Sequence, residues 1–128
     1  MMRLETDLLE ILDYATKNKL DDLKIEWNKK NCITIVLCAK GYPFTYVKNS
    51  EIKNLLSIDA DSNNQIFHAA TYEKNNKTYS NGGRVLNVTS SAKNLAEARK
   101  KSLKNLDKIN WPDGFFRKDI GWKLINNK

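Results

Sequence analysis

The stretch that most constrains this chain is the apolar, β-branched run at residues 32–39, Cys-Ile-Thr-Ile-Val-Leu-Cys-Ala. β-Branched side chains suit the pleated, half-buried surface of a strand. Lys40-Gly41-Tyr42-Pro43 follows, and its glycine and proline break regular structure. A buried strand is therefore expected at 32–39, with the rest of the fold built around it. The run falls far short of the ~20 apolar residues that cross a bilayer. Met1-Met2-Arg3-Leu4 leads straight into acidic residues rather than into an export signal. A cytoplasmic protein is expected, in which the sequons at Asn76 and Asn87 carry no glycan.

Other elements follow from periodicity and punctuation. Leu8, Ile11, Leu12 and Ala15 keep the helical period, with Thr6 as the expected cap. A short extended piece is expected at 24–27 and a helical turn at 51–56. Residues 65–72 read as one strand, Asn75-Asn76 as a hairpin turn, and 77–80 as the return strand. Another strand is expected at 84–89. Asn94-Leu95-Ala96-Glu97 resembles a capping box opening a second helix, whose buried stripe is read as Leu95, Ala98, Leu103, Leu106 and Ile109. Arg99, Lys100, Lys101, Lys104 and Lys108 fall on its other sides. Trp111-Pro112-Asp113-Gly114 is a turn, and an extended segment is expected from Phe115 onward. Hairpin-linked strands with helices near both ends imply an α+β fold, a mainly antiparallel sheet with flanking helices.

The 128 residues suit one domain. At 41% hydrophobic and 29% charged, the chain has an ordinary globular composition. Its net charge of +7 is uneven. Residues 1–64 carry 9 Lys and Arg against 10 Asp and Glu, whereas 65–128 carry 13 against 5. A basic surface on the second half is implied, facing an anion or serving solubility. Cys32 and Cys38 lie on one strand with Cα atoms about 20 Å apart, beyond disulfide reach. With His68 the only histidine, a Cys/His zinc site has too few ligands.

Familiar catalytic patterns are missing. The chain contains no G-x-x-x-x-G-K-[ST] phosphate loop, no G-x-G-x-x-G fingerprint and no G-x-S-x-G elbow. No catalytic residue and no metal ligand is assigned, and His68 is read as structural. Three segments exceed scaffolding: Lys40-Gly41-Tyr42-Pro43, Ser80-Asn81-Gly82-Gly83-Arg84, and Phe116-Arg117-Lys118-Asp119-Ile120-Gly121-Trp122. Glycines expose backbone N–H groups to an anion and arginine offers a bidentate fork. Equally, Gly82-Gly83 can be a bend between strands, and Arg117, Lys118 and Asp119 a local ion-pair cluster.

Taken in order, Lys40-Gly41-Tyr42-Pro43, Phe67-His68-Ala69, Asn81-Gly82-Gly83-Arg84-Val85-Leu86 with Val88-Thr89, Leu95-Ala96-Glu97-Ala98-Arg99, and residues 116–122 resemble the C-terminal domain of phosphoribosylamine–glycine ligases. These are also called glycinamide ribonucleotide synthetases and belong to the ATP-grasp superfamily. The resemblance covers nearly the whole chain. It implies a fold of the ATP-grasp-enzyme C-terminal type, with residues 1–22 as the helix linking to an ATP-grasp body and 23–128 as the C-terminal domain.

The implied reaction joins glycine to phosphoribosylamine with ATP and magnesium, through a glycyl phosphate, in purine biosynthesis. That nucleotide and metal machinery lies in ATP-grasp and N-terminal domains outside these motifs. The chain, as a fragment or a split subunit, is therefore expected to be inactive alone, without cofactors of its own, and to partner those domains. By analogy at superfamily level, Arg84, Arg117 and Lys118 are the candidate phosphate contacts, with Asp119 orienting them beside Gly82 and Gly83. Phe44, Ala70 and Asn87 stand where the family usually has glycine. The alternative function is a small basic nucleic-acid-binding module built on the helix that starts at Leu95.

Overall fold

A computed structural model describes residues 2–58 and 61–126. Among these residues seven strands form two antiparallel sheets: β1 (Asn31–Ala39), β2 (Glu51–Ile52), β3 (Asn64–His68), β4 (Thr71–Lys74), β5 (Lys77–Ser80), β6 (Arg84–Ala92) and β7 (Gly114–Phe115). The main sheet runs β3-β6-β1-β7 and the smaller one β2-β5-β4. Three helices, α1 (Leu8–Thr16), α2 (Leu95–Leu106) and α3 (Trp122–Asn126), complete an α+β architecture.

The apolar run forms the expected strand, and its alternation decides the core. Ile33, Ile35, Leu37 and Ala39 point inward, while Cys32, Thr34, Val36 and Cys38 occupy the opposite face. Val85, Leu86 and Val88 of β6 meet the inward side together with Ala98, Leu106 and Trp111. Leu37 pairs with Leu86 but Cys38 with Arg84, so Val85 is the extra residue of a β-bulge. That bulge lets the adjacent Val85 and Leu86 both be fully buried.

α2 covers the core side, with Asn94 accepting from the Glu97 N–H at 2.9 Å and donating to the Glu97 carboxylate at 2.9 Å. Its expected stripe is partly right. Ala98 and Leu106 are buried and Leu95, Leu103 and Ile109 pack against the core, but Ser102 and Asn105 are buried as well. The Asn75-Asn76 turn forms with both residues at positive φ, as a tight hairpin requires.

Several expectations change. Asp7, not Thr6, caps α1, accepting from the Leu9 N–H at 2.6 Å. Thr6 instead accepts from the Glu26 N–H at 2.7 Å. That bond belongs to a short pairing of residues 3–5 with 26–28, including the Leu4–Trp27 bridge. Residues 65–72 are not one strand. The Ala69 and Ala70 N–H groups both donate to Val85 O, and the chain turns there from β3 in the main sheet to β4 in the smaller one. Residues 51–57 give a two-residue strand and a 3-10 turn rather than a helical turn alone. No extended segment runs on from Phe115: β7 ends there, and a turn at 118–121 leads into α3. The two sheets are joined through Trp111, whose indole N–H donates to Ser50 Oγ at 2.7 Å, with Ser50 Oγ 3.2 Å from that of buried Ser80.

Candidate functional site

The three unusual segments, far apart in sequence, converge at one end of the main sheet. The last residue of β1, Ala39, donates its N–H to Gly83 O at 2.8 Å, and Lys40 donates to Asp113 O at 2.7 Å. The turn that follows needs Gly41. Its φ is +97°, and a Cβ there would sit 2.0 Å from Thr45 O. The Tyr42-Pro43 peptide bond is cis, and the Tyr42 ring lies directly under Gly83, where a Cβ would approach it to 2.2 Å. A Cβ on Gly82 would meet Ala70 Cβ at 2.5 Å. Close packing thus accounts for both glycines being bare.

A cleft of about 360 Å³ opens beside this junction. Its floor is Thr34, Val36 and Cys38 on the outer face of β1, and its walls are Tyr42, Pro43, Phe115, Phe116, Arg117 and Ile120. Cys38 pairs with Arg84 on one side and with Phe115 on the other, so both basic flanks of the site reach the same end of the sheet. Burial pushes the Cys38 thiol up, partly opposed by the nearby Arg84 guanidinium. Arg84 is exposed.

Arg117 stands at the rim and is forked onto Asp119, Nε to Oδ1 at 3.0 Å and Nη2 to Oδ2 at 2.7 Å. Hydrogen bonding from Arg117 holds the Asp119 carboxyl below its usual range, and Asp119 raises Arg117 in turn. Lys118 is exposed beside them. Arg117 thus lines the cleft, whereas Arg84 is only paired across the sheet with its floor residue Cys38; Gly83 packs under Tyr42 in the wall, and Gly82 sits one residue away against Ala70.

A second depression, about 420 Å³, continues along the same open face beneath the N-terminal pairing. Thr34 lines both depressions, joined here by Trp27, Cys32, Phe67 and Asn87. His68 lies at the exposed end of β3, its Nδ1 2.8 Å from Thr71 Oγ1.

Sequence reasoning missed Arg99. By spacing it is one of the cations on the polar sides of α2. In the structure it is half-buried and its Nε donates to Ile120 O at 2.8 Å, while Nη2 donates to Lys118 O. Only its place in the Leu95–Arg99 motif set it apart from the lysines beside it.

Comparison with known proteins adds to this geometry. The sequence profile of the phosphoribosylglycinamide synthetase C domain matches residues 32–123. The whole chain aligns with the phosphoribosylamine–glycine ligase of Brucella melitensis at 38% identity, covering 30% of that protein. It also aligns with the chloroplastic phosphoribosylamine–glycine ligase of Arabidopsis thaliana at 41% identity, covering 24% of it. The crystal structure of phosphoribosylamine–glycine ligase from Thermotoga maritima superposes with a TM-score of 0.65 at 28% identity, over 86% of this chain and 27% of that one. The chain thus spans less than a third of the length of these relatives. The profile match and the full-length alignments together establish that the chain belongs to the phosphoribosylglycinamide synthetase C-domain family.

Proposed function

We propose that this chain acts as the C domain of a phosphoribosylamine–glycine ligase, closing one wall of a substrate cleft completed by an ATP-grasp body and an N-terminal domain. The observation that carries the reading is an apolar surface that the described residues leave exposed. α1 buries none of its residues, and Leu8, Leu9 and Leu12 are 46%, 74% and 53% exposed. Ile25 and Trp27 are exposed nearby in sequence to the paired N-terminal segment. Interdomain contacts of about 600–1,500 Å² supply the cover that such a surface lacks. On this reading residues 1–22 are the link and 23–128 the domain proper.

Arg84, Arg117 and Lys118 then face the phosphate of phosphoribosylamine, with Asp119 holding the Arg117 fork and the Gly82 and Gly83 backbone close by. ATP and magnesium supply the activation of glycine in the complete ligase. Among the described residues no three His, Cys, Asp or Glu gather into a metal-binding group. On this reading magnesium and the nucleotide are held by the ATP-grasp body. Among the described residues no helix is long and apolar enough to cross a membrane, and the reading places the protein in the cytoplasm. A nucleic-acid-binding role gains nothing from the relatives. Two cations of α2 are also turned back onto the domain: Arg99 as above, and Lys101, whose Nζ reaches Ser91 O at 3.5 Å.

The test uses a relative's ligase whose own C domain has been replaced by this chain. Losing a charge-assisted contact to phosphate costs about 1.5–3 kcal/mol, so Arg117→Ala is expected to raise KM for phosphoribosylamine about ten-fold or more, with KM for glycine unchanged. An unchanged KM for phosphoribosylamine removes Arg117 from the site.

A further inference from the structure

We infer that Arg99 is a positioning residue: from α2 it clamps the 117–121 loop through two backbone carbonyls and so sets where the Arg117–Asp119 pair stands at the cleft. The Arg99 fork donates to the carbonyls of Lys118 and Ile120, the residues on either side of Asp119. The loop is closed on its far side by the Trp122 N–H, which donates to Asp119 O at 3.1 Å. Gly121 completes the fit. Its φ is +81°, and a Cβ there would lie 2.8 Å from Ile33 Cδ1 and 3.8 Å from Arg99 Cδ. The loop is thus pressed onto both the first core residue of β1 and the stem of Arg99.

Arginine is required at this position for its shape more than its charge. A planar fork can serve two carbonyls in fixed directions, whereas a lysine ammonium is a single point at the end of a flexible chain. Arg99 also adds to the field that keeps Asp119 ionised, behind the larger influence of Arg117. Because α2 packs directly on β1 and β6, the clamp ties the loop to the core of the domain.

The clamp is tested on the full chain, independently of any ligase activity. In Arg99→Lys and Arg99→Gln, tryptic cleavage after Arg117 and Lys118 is expected to rise about ten-fold or more, because cleavage follows the open population of a segment. Cleavage after Lys17 is expected to stay the same. Equal cleavage at 117 and 118 in parent and variants overturns the proposal. The parent chain gives a second measurement that needs no variant to fold. The Arg99 Nε proton is expected to exchange at least about ten-fold more slowly than that of exposed Arg84; equal rates overturn the clamp.

The consequence for catalysis rests on the ligase reading. In the chimeric ligase, Arg99→Lys is expected to raise KM for phosphoribosylamine by the same factor as Arg117→Ala, with no further rise in the double variant. A loop that is released while Arg117→Ala leaves that KM unchanged upholds the clamp and rejects the phosphate site. Additive effects of the two variants show that Arg99 acts on substrate by another route, and overturn the positioning role.

Discussion

Gly82 and Ala70 should behave as a swappable pair. A Cβ on Gly82 would sit 2.5 Å from Ala70 Cβ, and its next nearest atoms, Ala70 Cα and Arg84 O, are both at 3.9 Å. Carbon atoms settle at about 3.5–4.0 Å, so the overlap is at least about 1 Å and involves a single methyl group. Neither backbone can slide away. The Ala70 N–H donates to Val85 O at 3.2 Å, and Ala70 O accepts from the Asn81 N–H at 2.9 Å.

Overpacking of this size costs about 1–3 kcal/mol. Gly82 does not occupy the left-handed region, so alanine there adds no backbone strain. Gly82→Ala alone is therefore expected to lower unfolding stability by about 1–2 kcal/mol, the overpacking less the gain from a stiffer unfolded chain. Ala70→Gly alone should cost roughly 0.4–1 kcal/mol through a looser unfolded chain, and the double variant recovers a similar amount at position 82. The pair Ala70→Gly with Gly82→Ala should thus return to within about 1 kcal/mol of the parent, with a coupling energy of about 1–3 kcal/mol. Urea melts followed by circular dichroism give each value, with the m-value expected to stay constant. A double variant as unstable as Gly82→Ala, or a harmless Gly82→Ala, refutes the packing argument.

Three further outcomes follow from the same contacts. Trp111→Phe removes the indole donor to Ser50 and is expected to cost about 1 kcal/mol, whereas Trp111→Ala should cost about 3–5 kcal/mol; denaturant melts that rank the two equally contradict the hydrogen-bond assignment. Asp119 is held below its ordinary 3.8, chiefly by Arg117. Its contribution to stability is therefore present above that pH and lost as pH falls through the folded value. Carbon NMR titration of Arg117→Ala should move Asp119 upward and leave Asp61, held low chiefly by the Asn63 N–H, where it was. In a Cys32→Ser background, alkylation of Cys38 at pH 8 should be slower than that of a free thiol, because burial raises it above its ordinary 9.0. Arg84→Ala should slow it further, and faster alkylation would contradict the Arg84 contact.

The elements dictated by local rules were legible in the sequence. β1 followed from its β-branched run, the β4–β5 hairpin from Asn75-Asn76, and the start of α2 from the Asn94 and Glu97 box. What failed depended on distant partners. Residues 65–72 look like one strand by composition, and only Val85 O, accepting from both Ala69 and Ala70, divides them between two sheets. The spacing of Leu8, Ile11 and Leu12 marks an amphipathic helix but cannot say what covers it; here no part of the described chain buries it. Spacing also could not show that residues 39–43 meet Gly83 and Asp113, because those contacts span more than 40 positions. Arg99 failed for the same reason. On a helical wheel it is another surface cation, and its partners are the Lys118 and Ile120 carbonyls.

The most direct test of the C-domain assignment is reconstitution. A relative's phosphoribosylamine–glycine ligase is cut just before its C domain and assayed for glycine-dependent ATP consumption, alone and with this chain added. The account predicts that the chain has no turnover by itself, and that adding it restores the truncated enzyme in a saturable way. A folded chain that restores nothing at saturating concentration, or that consumes ATP with glycine and magnesium unaided, contradicts it.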